Sequence, residues 1–284
     1  MARPTFSAGW VADQLKAGLG ATVIVENKPG AGSTLAAEQV ARAEPDGYTL
    51  LMATSTTLAI NKTLYKKLPY DPVKDFTPIA LVAGVPFALI INPQIPAKTL
   101  SEFIAYAKSM PGLAYGSAGN GSPQHLGAEM VKAAAGIDIR HVPYRGSVPA
   151  MLDVISGHIS FMVVDLQPAL QQIREGKVRV LGVTTSKRVA AAPDIPTLAE
   201  AGLPGFELVA WQGVVAPAGV PRAIADQLAA QIGKLVADAA TRDKLTTISL
   251  EPLPPSTPDS FAAYIKSEVD RWAPIVKNSG AELE

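Results

Sequence analysis

Two clusters of small polar residues between Tyr115 and Asp165 have the chemistry of an anion site. The first, Ser117, Ala118, Gly119, Asn120, Gly121 and Ser122, follows a short strand at Leu113–Gly116 and leads into a helix. Glycines flank Asn120, so the backbone there can come close to a ligand. The loop feeds a helix N-terminus, whose free N–H groups attract negative charge. In the second cluster, Gly146 and Ser147 open a helix near Pro149–Ser156, and the apolar strand Ile159–Val164 then ends at Asp165. Two such loops within fifty residues suit a small carboxylate or a similar anion. They do not by themselves imply catalysis. The plainer reading of Ser117–Ser122 is a turn followed by a helix cap. Asp165 either accepts from a ligand amine or hydroxyl, or orients a water, or caps the next turn.

Ser55 and Thr56, with Thr57, lie just past another predicted strand. That is the end of a strand at which open α/β sheets bind ligands. His125 stands three residues into its helix. It either packs and hydrogen-bonds locally or acts as a base beside Ser122. His141 and His158 flank strands and read as structural. No His-x-x-x-His or clustered carboxylate pattern is present, and there is no cysteine. Thiolate chemistry and Cys-held metal are therefore excluded, and neither a metal nor a cofactor is expected. Trp211 and Tyr144 either wall the cleft or serve packing, and Arg145 either pairs with the ligand or points to solvent.

The elements that position these residues alternate. Val11–Leu19 reads as a helix stopped by Gly20, and Thr22–Val25 as a short strand. A Gly/Pro loop at Asn27–Thr34 enters a helix at Leu35–Ala43, and Pro45-Asp46-Gly47 turns into a strand at Tyr48–Ala53. This is βαβ grammar and predicts a parallel sheet. Pro123 at the first helical position, Ser122 before it and Gly136 after the last turn frame one helix clearly. Others are expected at Ser101–Met110, Arg222–Ala239 and Phe261–Ile275.

At 284 residues the chain exceeds the usual ~100–150-residue domain, so two lobes are expected. Breaks at Asn92–Ala97 and Ala216–Pro221 divide it into a discontinuous lobe of residues 1–98 and 221–284 and a second of 99–220. Two crossings make a hinge, with the ligand held between the lobes. Lys plus Arg number 25, as do Asp plus Glu, and no basic block carries interleaved aromatics. A nucleic-acid surface is not expected. No apolar run reaches the ~18–20 residues of a membrane span.

Several longer matches, taken in order, resemble the substrate-binding receptors of tripartite tricarboxylate transporters, the Bug receptors. They are Val23-Ile24-Val25-Glu26-Asn27-Lys28-Pro29-Gly30-Ala31-Gly32, Pro45-Asp46-Gly47-Tyr48-Thr49-Leu50, and Tyr70-Asp71-Pro72 with Asp75-Phe76-Thr77-Pro78-Ile79. Tyr115–Ser122 with His125-Leu126, Val142-Pro143-Tyr144-Arg145-Gly146, Pro193-Asp194-Ile195-Pro196-Thr197 with Glu200-Ala201-Gly202, and Trp211-Gln212-Gly213 follow. The resemblance implies a monomeric two-lobed α/β periplasmic binding protein that passes a carboxylated metabolite to membrane permease subunits. Members usually begin with a hydrophobic strand, which here would fall before residue 1, followed by a Gly-Gly loop, which would fall near Ala2–Thr5. No leader is readable in the first residues. The absence of that strand is expected to expose the apolar edges Val23–Val25 and Leu50–Met52. Two other functions compete with the receptor: a carboxylate sensor for a signalling partner, and a small hydrolase or isomerase using Ser122 and His125.

Overall fold

The computed structural model describes residues 3–28 and 30–284. The chain divides into two compact units, one of Met1–Gly84, Ala210–Leu245 and Pro252–Glu284, the other of Val85–Val209 and Thr246–Glu251. In chain order the first unit opens with α1 (Arg3–Leu19), α2 (Thr34–Ala41), β1 (Leu51–Thr54), a π-helical turn at Thr56–Ile60, and α3 (Asn61–Leu64). The long strand β2 (Phe76–Ile91) runs past the division. Then come α4 (Leu100–Ser109), β3 (Ala114–Ser117), α5 (Pro123–Ala135), β4 (Arg140–Pro143), α6 (Ser147–Ser156), β5 (Phe161–Asp165), α7 (Leu166–Arg174) and β6 (Arg179–Val183). The chain continues through β7 (Val209–Pro217), α8 (Arg222–Ala237), α9 (Ala239–Thr247), β8 (Glu251–Pro252) and α10 (Pro258–Ser279). Both divisions thus fall inside or at the end of strands, ahead of the Pro-rich breaks read from sequence.

In the first unit β1 is antiparallel to β7, from Leu51↔Val215 to Thr54↔Gln212, and β7 lies beside β2. Helix α1 packs on α8 and β1, and α10 covers the π-helical turn and α3. The start of α10 is chemically fixed. Thr257 and Ser260 form a reciprocal capping box, Pro258 takes the first position, and Gly280 ends the helix at φ 67°. Trp211 is buried edge-on against Phe261, with centroids 5.6 Å apart. Its indole N–H and that of Trp272 donate to the same oxygen of Glu268, at 2.9 and 3.0 Å. Glu268 is 3% exposed, and Arg271 meets its other oxygen at 3.1 Å. Trp211 is therefore a packing and anchoring residue.

In the second unit the sheet order is β4-β3-β5-β2-β6. The far half of β2 is antiparallel to both β5 and β6, whereas β3 is parallel to both β4 and β5. The sheet is mixed because β2 enters it reversed, and the parallel pairing predicted from Val11–Ala53 is not realised in the first unit either, where β1 is antiparallel to β7. Side chains of β5 alternate between two cores. Met162 and Val164 join Ala150, Met151 and Val154 of α6 with Leu166 and Ala169 of α7. Phe161 and Val163 face the other way, toward Phe103 of α4, Tyr115 of β3 and Gly127 of α5.

The expected strand at Thr22–Val25 does not form: the segment has no regular structure, and Ile24 is 78% exposed. β-Branched residues favour a strand only when a pleated neighbour receives them. Val25 is also exposed, while Leu51 is buried on β1, so only the first of the two apolar edges expected to be open is open. Helix α1 starts at Arg3, well before the expected Val11, and Pro4 in its first turn costs no hydrogen bond. Of the loop expected near Ala2–Thr5, Arg3–Thr5 are helical, and Ala2 lies outside the described residues. So do Met1 and Pro29. The remaining helices match their expected positions to within a few residues at each end. Among the described residues no helix is long and apolar enough to cross a membrane.

Candidate functional site

Strands β3, β4 and β5 run parallel, ending at Ser117, Pro143 and Asp165, and each leads toward a helix. Parallel strands bring those helix starts to the same end of the sheet, where open α/β sheets place ligands. Three side chains tie the starts together. Gln124, at the second position of α5, donates to Ser147 Oγ and to Asp165 Oδ2, each at 3.3 Å. Ser147, the first residue of α6, donates to the same Asp165 oxygen at 3.3 Å. The structure thus joins two residues singled out from sequence, Ser147 and Asp165, through Gln124, which sequence reasoning missed. Asp165 precedes α7 without capping it through its side chain, so the capping alternative is not realised. Gly146 sits before α6 at φ 111°, a conformation glycine adopts without strain, and leaves that helix without a side-chain cap.

The Ser117–Ser122 loop is knotted by its own hydrogen bonds. Ser117 Oγ is buried and accepts from Gly119 N–H at 3.1 Å. Gly119 C=O accepts from Ser122 N–H at 3.2 Å and from Ser122 Oγ at 2.7 Å. Ser122 caps α5 as predicted, its hydroxyl accepting from His125 N–H at 3.2 Å. Gly119 at φ 125° and Gly121 at φ 70° make this path possible. Gly121 N–H donates to His125 Nδ1 at 3.1 Å. Three of the loop's backbone donors are therefore already engaged. Asn120, between the glycines, is exposed, and no partner for its N–H is found among the described residues.

Beneath the loop lies an aromatic stack in which Tyr115 and His125 are buried and His141 is half-buried. His125 and His141 are parallel with centroids 3.9 Å apart, and Tyr115 stacks on His141 at 4.9 Å. Ser117 Oγ lies 2.6 Å from His141 Nε2. The Tyr115 hydroxyl donates to Glu129, which pairs with Lys132 at 2.9 Å. Burial lowers the His125 pKa. Burial first, and then the neighbouring His125, pushes His141 down to about 4. Both rings are neutral at pH 7. His141 was read from sequence as structural; its contact with Ser117 depends on the parallel pairing that sets Tyr115 opposite His141.

Ser55 and Thr56 belong to the first unit. Ser55 is fully buried and its hydroxyl finds no hydrogen-bond partner among the described residues; Gln212 Oε1, on the residue paired with Thr54, is likewise buried and unpartnered among them. Thr56 is half-buried. Tyr144 donates to Asp153 at 2.6 Å, and Arg145 is exposed. The Ser122–His125 pair needed for hydrolysis is not assembled. Ser122 Oγ is spent on Gly119 and the helix cap, and His125 Nδ1 on Gly121. Among the described residues no group of three or more His, Asp or Glu side chains is placed to hold a metal ion.

Known proteins resemble this chain in sequence and in fold. The family described as tripartite tricarboxylate transporter family receptor, TctC, matches residues 8–281. BugT of Bordetella pertussis is 33% identical over 276 residues, 96% of this chain and 84% of the relative. A protein encoded in the tcbD–tcbE intergenic region of Pseudomonas sp. strain P51 is 34% identical over 94% of this chain and 79% of its own length. Among solved structures, the periplasmic binding protein BugD superposes with a TM-score of 0.85 at 35% identity, covering 100% of this chain and 96% of its own. MatC from Rhodopseudomonas palustris, solved with bound malate, gives 0.84 at 34%, covering 97% and 95%. An R. palustris protein solved with adipate gives 0.89 at 32%, covering 100% and 96%. With a matching profile over nearly its whole length and a periplasmic-binding-protein fold, this chain belongs to the TctC family of tripartite tricarboxylate transporter receptors.

Proposed function

We propose that the protein is an extracytoplasmic receptor that captures a small carboxylated metabolite and delivers it to the membrane permease subunits of a tripartite tricarboxylate-type transporter. The observation that supports this most is the meeting of three helix starts at the ends of parallel strands, joined through Gln124, Ser147 and Asp165. Backbone N–H groups at such starts hold a carboxylate without any basic side chain. Asn120 supplies an exposed polar tip between two glycines, and Gly146 leaves the first turn of α6 uncapped for the ligand. Asp165 then accepts from a hydroxyl or amine elsewhere on the metabolite, or from a bridging water. Ser55 and Thr56 are proposed as further contacts because the buried Ser55 hydroxyl lacks a partner among the described residues, an arrangement that is costly unless a ligand or water satisfies it. Neighbours solved with malate and adipate support a small carboxylate as the ligand class. The protein acts in the periplasm, as a monomer, and without chemistry on its cargo.

A thermal-shift and calorimetric screen of dicarboxylates, hydroxy acids, amino acids and aromatic acids tests this. A ligand at 100 times its Kd should stabilise the protein by about 2.7 kcal/mol. Gly121→Val, which forces a β-branched residue into φ 70°, should abolish that shift while leaving the fold largely intact. A panel without any stabilising acid, or unchanged affinity in Gly121→Val, overturns the assignment.

A further inference from the structure

We infer that His125 and His141 are positioning residues for solute binding, clamping the Ser117–Ser122 loop from below, and that the clamp holds only while His125 is unprotonated. The inference rests on the ligand reading of that loop. Its own basis is geometric. Gly119 and Gly121 both adopt positive φ, and glycine backbone is costly to order. What orders it is side-chain chemistry at both ends: His141 Nε2 on Ser117 Oγ, with Ser117 Oγ on Gly119 N–H, and His125 Nδ1 on Gly121 N–H. The two rings lie face to face at 3.9 Å, so each fixes the other's plane.

The proton state follows from these contacts. Gly121 N–H points at Nδ1 of His125, so that nitrogen must offer its lone pair, and the ring carries its proton on Nε2. Protonating Nδ1 would set two donors head to head and release Gly121. His141 is less sensitive, because either Ser117 Oγ or its own Nε2 can be the donor between them. A charge on one ring also opposes a charge on the other across the stack. Among the described residues, the ionisable groups facing the pair are Glu129 and Lys132 from α5 and Tyr115 from β3, whose ring is backed in turn by the uncharged Phe161 of β5. Glu129 and Lys132 form an ion pair with each other, and their effects on the rings oppose.

The test compares wild type, H125A, H125N and H141Q. Asparagine places a non-titrating acceptor near the Nδ1 position, and glutamine does the same near Nε2. Protection of the Gly121 amide against hydrogen exchange, taken relative to the intrinsic rate at each pH and read by nitrogen-15 NMR without ligand, should be strong in wild type at pH 7.5 and weaken as the pH is lowered. It should be weak throughout in H125A and strong throughout in H125N. With malate and adipate as probes, H125A should weaken binding about tenfold, the equivalent of one lost hydrogen bond, with H125N restoring most of it. As the pH is lowered from 7.5 the wild-type affinity should fall relative to H125N, a ratio in which protonation of the probe cancels. H141Q should stay closer to wild type than H125A does. Rapid exchange of Gly121 in wild type, equal affinity in H125A, or a wild-type to H125N ratio independent of pH overturns the inference. If wild type binds neither probe while its Gly121 amide is protected, the ligand reading fails and the exchange data alone decide the clamp.

Discussion

Replacing Glu268 with leucine should be the most damaging single change in the first unit. The carboxylate is buried at 3% exposure and satisfies two buried indole N–H groups through one oxygen, at 2.9 and 3.0 Å. Leucine fills similar space but accepts nothing, stranding both donors. Each stranded buried donor costs about 1–3 kcal/mol, so the two together cost roughly 2–6, less a small gain from apolar burial. The expected loss is about 3–5 kcal/mol, a large share of the ~5–15 kcal/mol that holds a folded domain together. Glu268→Gln should cost far less, about 1–2 kcal/mol. Its carbonyl oxygen still receives the indoles, and Arg271, half in solvent, can turn away from the amide. The assay is urea unfolding followed by tryptophan fluorescence. All three tryptophans, Trp10, Trp211 and Trp272, lie in the first unit, so the signal reports that unit alone. A double-mutant cycle with Trp211→Phe isolates the hydrogen bond, and a coupling of about 1–2 kcal/mol is expected. A Glu268→Leu variant within about 1 kcal/mol of wild type, or a cycle with no coupling, would refute the argument.

Two further predictions concern other parts of the molecule. Because His141 is held neutral, with its pKa pushed down from 6.5 to about 4, the unfolded chain takes up the proton first as pH falls. Stability should therefore be complete above about pH 6.5 and decline toward pH 4, by no more than about 3 kcal/mol; a melting temperature that H141Q leaves with the same slope over that window would disprove it. Gly213→Ala should destabilise the first unit by about 1–3 kcal/mol, since a Cβ there would stand 2.4 Å from Phe261 Cζ and 3.0 Å from the Ala80 carbonyl oxygen; urea midpoints equal to wild type would show that Phe261 yields freely.

The parts of the fold that were legible in the sequence are those decided by neighbours in the chain. Ser122, Pro123 and Gly136 mark the limits of α5 because a cap, a ring-locked first residue and a left-handed terminal glycine each act within a turn. What failed was decided at long range. Thr22–Val25 has strand composition and no partner, so composition misled. The antiparallel entry of β2 depends on both units drawing on one strand, which no local window contains. At the candidate site, Ser147 and Asp165 were visible as residues after strands, but their link through Gln124 was not. An unremarkable glutamine in a helix's first turn becomes informative only when two other helix starts arrive beside it. His141 lies 24 positions from Ser117 and entered the loop's support through strand register.

The way the chain threads its first unit has a kinetic side. Strand β1 waits for β7, with Leu51 opposite Val215, and α10 comes later still. The second unit is drawn almost wholly from the continuous stretch Val85–Val209. During synthesis that stretch is complete while its companion still lacks a sheet neighbour, two helices of its core and the Glu268 anchor. Contacts of such sequence separation form slowly, because a long loop must close before they repay its entropy. The second unit should therefore mature first, and the first should be assembled only when the last thirty or so residues leave the ribosome. Until then α1 and β1 are bare apolar surface, and a chaperone that recognises early segments would have a long interval in which to hold this one open.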